Sequence, residues 1–163
     1  MALQKLVLDD VFEEEYSLLA IHCSEEAYKM AFLINKHLGL QLRRKRVDLD
    51  FSLDGLEVTF PLYKFESKSV YTTYYMVSNK CKSEIARLSS AGGLFDSQES
   101  SRSITTHLIP EHKKVDYFLK IESDAPLVPI RKTTAMLNEI KEVISAYIIE
   151  NDKIKSNKNL IFN

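Results

Sequence analysis

The residues best suited to bind a metal or attack a substrate are four histidines, His22, His37, His107 and His112, and two cysteines, Cys23 and Cys81. Their spacing argues against both uses. His22 and Cys23 are neighbours in a run that reads as a strand, so they leave opposite faces and cannot share an ion. Neither HExxH nor CxxC occurs. His107 and His112 could converge only through a loop that also positions Glu111 or Asp116. The serine motifs GxSxG and SxxK are missing, and Gly92-Gly93 lacks the spacing of a phosphate cradle. Nothing marks an activating histidine for Cys81. The expectation is no catalytic residue, no metal ligand and no cofactor.

Binding is the remaining chemistry. The basic run Arg43-Arg44-Lys45-Arg46 is the best place for an acidic partner. On a strand its members alternate between faces, so one patch forms only if the strand bends. Arg43, Arg44 and Arg46 therefore stand as candidate binding residues. The whole chain gives them no support, because 22 Lys+Arg face 23 Asp+Glu for a net charge of −1. Nucleic acid is not an expected partner. Tyr71, Tyr74 and Tyr75 could stack on bases, but tyrosines in a strand are more often packing.

The chain has 163 residues, 45% hydrophobic and 28% charged. These values fit a single soluble domain spanning 1–163. Two cysteines make no disulfide framework, and a reducing cytoplasm is the expected compartment. The first residues turn acidic by Asp9, unlike a secretory leader, and no apolar stretch is long enough to cross a bilayer.

Tyr16–Cys23 is apolar on both alternating faces, which predicts an interior strand. Ser24 is placed to cap a helix whose apolar residues are Ala27, Met30, Ala31, Ile34 and Leu38, and Gly39 to end it. Residues 40–53 read as a strand that bends within the basic run. Asp54-Gly55 marks a type I′ hairpin, and counting from it sets Leu53 opposite Leu56, Phe51 opposite Val58 and Leu49 opposite Phe60. Pro61 interrupts the second arm. Val70–Val77 has strong β preference, and Asn79-Lys80 closes the meander.

Residues 82–107 read as a long flexible loop, with a short helix near 83–88 and Leu94-Phe95 as an anchor. Val115, Tyr117, Leu119 and Ile121 alternate with Asp116, Phe118, Lys120 and Glu122, which predicts a half-buried strand. A helix starts near Ile130 with Thr134, Leu137 and Ile140 inward. Residues 143–149 suit helix or strand, and their β-branched content favours strand. Leu160-Ile161-Phe162 gives the end of the chain something to dock. The result is an α+β fold: a mainly antiparallel sheet of about six strands with two helices on one face. Because each end resembles a βαβ unit, a ferredoxin-like arrangement is one form of it.

The segment Ile109-Pro110-Glu111-His112-Lys113-Lys114-Val115-Asp116-Tyr117 resembles the signature of the bacterial IPExxxVDY family at all six named positions. Leu18–His22, Ala31-Phe32, Ile34-Asn35 and Lys158–Phe162 are similar to the same family. The resemblance implies no activity or ligand, so it transfers no catalytic role to Glu111 or Asp116. Their first reading is as scaffold, with acidic groups making local hydrogen bonds at the lead into a strand. Glu111, His112 and Asp116 are nevertheless the candidate binding residues of this region. The expected function is non-catalytic: binding another protein or a second copy through the signature, the 82–107 segment or an exposed sheet edge. The alternative is an enzyme or small-molecule sensor with a cleft near 109–117.

Overall fold

A computed structural model describes residues 16–53, 56–85, 102–124 and 128–162. Its strands are β1 (Tyr16–Cys23), β2 (Arg43–Arg44), β3 (Leu49–Leu53), β4 (Leu56–Phe60), β5 (Leu62–Ser67), β6 (Thr72–Ser78), β7 (Lys80–Ile85), β8 (Arg102–His107), β9 (Tyr117–Ser123) and β10 (Val143–Ile149). Two α-helices, α1 (Ala27–Leu38) and α2 (Ile130–Asn138), follow β1 and β9. The main sheet has the order β10-β1-β9-β6-β5-β2, and every pairing in it is antiparallel. Its first four strands, with α1 after β1 and α2 before β10, have the order of a ferredoxin-like split βαβ.

Both faces of this sheet are buried, for different reasons. Leu19, Ile21, Met76 and Leu119 pack beneath Met30 and Ile34 of α1 and Leu137 of α2. Leu18, Ala20, Val77 and Phe118 turn the other way. They are covered by Val58 and Phe60 of the β3–β4 ribbon, by Leu108, Ile109 and Val115, and by Ile154, Leu160 and Phe162 of the C-terminal segment. This second layer accounts for the doubly apolar β1, and it corrects the reading of β9 as half-buried. Phe118 is 0% exposed and Lys120 only 1%. The Lys120 ammonium lies 2.5 Å from a Glu122 carboxylate oxygen. The rings of Tyr16, Phe162 and Tyr75 surround it at 4.7, 5.3 and 5.9 Å, so cation–π attraction replaces part of its lost hydration.

The β3–β4 register pairs Phe51 with Val58 and Leu49 with Phe60, as counted from the turn; Asp54 and Gly55 themselves lie outside the described residues. Gly39 ends α1 in the left-handed region at φ 68°. The start of α1 differs from expectation. Glu26, not Ser24, is the N-cap, and it makes no side-chain cap. The link ahead of the helix is held elsewhere: Asp116 accepts from the Cys23 amide, and Tyr117 donates to the Glu25 carbonyl. On α2 the inward threonine is Thr133, with Leu137 and Ile140 buried as expected.

The largest correction concerns 82–107. Residues 80–85 and 102–107 pair as the antiparallel ribbon β7–β8, which also removes the expected helix over 83–85. Ser, Thr and Lys dominate these strands, so they offer no apolar stripe to read, and their pairing rests on backbone hydrogen bonds. Residues 86–101, including Leu94-Phe95, lie outside the described residues.

Candidate functional site

The signature segment leaves β8, makes a 3₁₀ turn at Pro110–His112 and runs into β9. Pro110 suits the first position of that turn, where an N–H would lack a partner. Ile109 and Val115 are 0% and 1% exposed and anchor the segment's two ends in the second core. Between them the backbone folds around one side chain that sequence reasoning had read only as a turn residue.

That side chain is Asn79, between β6 and β7 and 0% exposed. Its amide nitrogen donates to the carbonyls of His112 and Val115, both at 2.9 Å. Its side-chain oxygen accepts from the Ile109 N–H at 2.8 Å. Its own backbone donates to the Asp116 carbonyl and accepts from the Leu108 N–H, each at 2.9 Å. A buried amide is tolerated because each end of it has a partner. The sequence signal was an asparagine where β6 meets β7; its partners lie 29 to 37 positions downstream and could not be read locally.

Glu111, His112 and Asp116 are close in sequence but turn to different duties. One Glu111 oxygen accepts from the Ser156 N–H at 2.8 Å and from its hydroxyl at 3.0 Å, which ties the C-terminal segment to the signature. Burial alone would raise the Glu111 pKa. Hydrogen bonds from its own amide, Ser156 and the Lys155 amide outweigh that and hold it below the ordinary carboxylate value. Asp116 accepts from the Cys23 N–H at 2.9 Å and pairs with the Lys80 ammonium at 2.7 Å. It thus joins β1, β7 and the start of β9. His112 contributes its backbone, donating to the Ile109 carbonyl and accepting from Asn79.

Residues 110–115 and Tyr147 of β10 border an open depression of about 350 Å³. Asp116 does not line it. Tyr147 is hydrogen-bonded to His22 at 3.1 Å and stacked on its ring. Among the described residues no cluster of three or more His, Cys, Asp or Glu could hold a metal ion.

The basic run lies on the far edge of the sheet. Arg43 and Arg44 form the two-residue strand β2 beside Lys64 and Tyr63. Arg44 is bound to Asp48 through both Nε and a terminal nitrogen, at 3.2 and 2.6 Å. Arg46 is exposed in the bend that follows. The structure therefore places Arg43, Arg44 and Arg46 apart from the signature, with one of the three already matched by an acid.

The two edges of the sheet contrast. The β2 edge is short and charged, the usual way a protein blunts a strand that could pair with another chain. The β10 edge is seven residues long, Val-Ile-Ser-Ala-Tyr-Ile-Ile, with no charge and no proline. Ile144 is 73% exposed, Ile148 46% and Tyr147 40%. Among the described residues, β1 is its only neighbour in the sheet.

The Glu111 clasp predicts a pH signature. Its folded pKa is lowered, so its contribution is present above the unfolded value, 4.5, and is lost as pH falls through the folded value. Glu111→Gln should melt below the parent at pH 7, and the gap should close as pH drops below the ordinary carboxylate range. Thermal melts of both proteins across pH 2–7 check this. A gap that persists unchanged at the acid end contradicts the clasp.

No described helix is long and apolar enough to cross a membrane. No family model, no curated protein and no solved structure matches the chain.

Proposed function

We propose that this protein is a non-catalytic, self-associating module that docks through the β10 edge, and that it belongs to the IPExxxVDY family its signature resembles. The observation that carries the docking reading is an uncharged, apolar strand at one edge of a sheet whose other edge is guarded by arginines. The partner that fits is a second copy of the chain. Two-fold antiparallel pairing centred on Ala146 sets Ile144 of one copy against Ile148 of the other, twice, and the seven strand residues that pair carry no charge. The signature serves this module as scaffold. Ile109 and Val115 anchor, Glu111 holds the C-terminal segment, and Asp116 and Tyr117 hold the link into α1. A ligand cleft at the signature is the alternative, favoured only by the depression beside Tyr147. The engagement of Glu111 and Asp116 in internal bonds weighs against it.

Sedimentation velocity of the parent and of Ile148→Lys tests the proposal. The parent should show a concentration-dependent dimer. The variant should weaken it at least tenfold while keeping the parent's circular dichroism spectrum, because pairing would bury a lysine from each copy without a counter-charge. A parent that stays monomeric, or an Ile148→Lys that dimerises like the parent, would overturn the reading.

A further inference from the structure

Ala146, the centre of the proposed pairing, is already occupied. The Asn138 side chain, at the last position of α2, donates to the Ala146 carbonyl at 2.9 Å and accepts from the Ala146 N–H at 2.8 Å. Both backbone groups of Ala146 are therefore engaged by Asn138, although β1 lies beside it with Ile21 as its register partner. In an antiparallel ladder a residue's N–H and C=O point together to one side, and those of Ala146 point to the open side. A primary amide has the donor and acceptor of a peptide group. The Asn138 amide thus stands where the peptide of a further strand would stand.

We infer that Asn138 is a removable guard on the β10 edge, which a second copy must displace to pair. This rests on the docking reading above and assigns how that docking is restrained. The guard covers only the middle of the strand. Ile148, two residues on, turns its backbone groups the same way, and its side chain is half exposed. An incoming β10 can meet Ile144 and Ile148 first and exchange its own Ala146 for Asn138 afterwards. Such an exchange conserves hydrogen bonds, so the guard slows and weakens pairing without forbidding it. α1 carries the same device away from this edge: Asn35 donates to the Leu42 carbonyl at 3.0 Å and accepts from its N–H at 2.8 Å. Leu42 directly precedes β2, at the opposite end of the sheet from β10, so its clasp does not bear on pairing through β10. Asn35 supplies the matched control.

The test is sedimentation velocity on the full chain, comparing the parent, Asn138→Ala, Asn35→Ala and the double variant Asn138→Ala/Ile148→Lys. Asn138→Ala should tighten the dimer at least tenfold. Asn35→Ala, an equal loss of clasp elsewhere, should leave association at the parent's level, and adding Ile148→Lys should reverse the gain. Should Asn138→Ala lose the parent's circular dichroism spectrum, Asn138→Ser makes the smaller change and still cannot span both Ala146 groups; it carries the same expectation. A folded Asn138 variant that associates no more tightly than the parent overturns the guard. So does an equal rise in Asn35→Ala, which would mark general loosening. These outcomes separate the two proposals. A dimerising parent with an unresponsive Asn138 keeps the docking reading and removes the guard. A parent monomeric at every concentration, with an Asn138→Ala that dimerises through β10, keeps the guard and removes self-association as the parent's function.

Discussion

Asn79→Ala should destabilise the protein by roughly 2–5 kcal/mol, since each buried group stripped of its partner costs about 1–3 kcal/mol and two are stripped at once. The two are the Ile109 N–H and the Val115 carbonyl, while the His112 carbonyl keeps the Val115 N–H at 3.0 Å. The loss should be local before it is global. In native-state hydrogen exchange, the Ile109 amide should open at far lower free energy than the amides of β1. Asn79→Asp sharpens the test, because a carboxylate still accepts from Ile109 but cannot donate to the two carbonyls. It should cost at least as much at neutral pH, where it also buries a charge. Denaturant unfolding decides. A loss below about 1 kcal/mol would mean that the turn holds itself and that Asn79 is incidental.

Asn79 also shows what could be read from the sequence and what could not. Elements whose cause is local were legible. Gly39 ends α1 because a left-handed residue is needed there, and the β3–β4 register follows from a two-residue turn and a period of two. The choice of strand for 143–149 followed from branched side chains. Errors arose where a distant segment decides the environment. Lys120 sits at a parity that reads as solvent-facing, yet Phe162 comes back over it from 42 positions along the chain. Ser24 is a good capping residue, but the link it occupies is tied down on either side by Asp116 and Tyr117, and α1 begins at Ala27. The ribbon β7–β8 has no apolar stripe, so a reading based on burial passed it over. The candidate site divides the same way. The signature's residues were recognisable as a group, while their partners, Asn79, Ser156 and the Glu25 carbonyl, were not. The two asparagine clasps were invisible for a simpler reason: an asparagine in the last turns of a helix is ordinary, and only coordinates reveal which backbone groups its amide meets.

Tyr117→Ala should cost on the order of 3–5 kcal/mol, the range for removing a large aromatic from a core. Tyr117 is 6% exposed, within the helix-side cluster. Its hydroxyl donates to the Glu25 carbonyl at 2.5 Å and so fixes the link between β1 and α1. Tyr117→Phe separates packing from tether. It keeps the ring and should lose only about 1 kcal/mol, the net worth of a typical hydrogen bond. A pH series gives a second readout. Burial foremost, with the negative charges of nearby groups, pushes the Tyr117 hydroxyl well above its ordinary value of 10.0. A raised folded pKa means the contribution is complete below the unfolded value and declines as pH rises from it toward the folded one. The parent should therefore lose part of its advantage over Tyr117→Phe above about pH 10, where the unfolded phenol ionises. Taking this as a difference removes the other buried tyrosines, which titrate alike in both proteins. If Tyr117→Phe matches the parent at neutral pH and their difference stays flat to alkaline pH, the tether is idle. The start of α1 would then be set by packing of Met30 and Ile34 alone. If Tyr117→Ala also costs under about 1 kcal/mol, the ring is not part of the core, and the scaffold role of the signature falls with it.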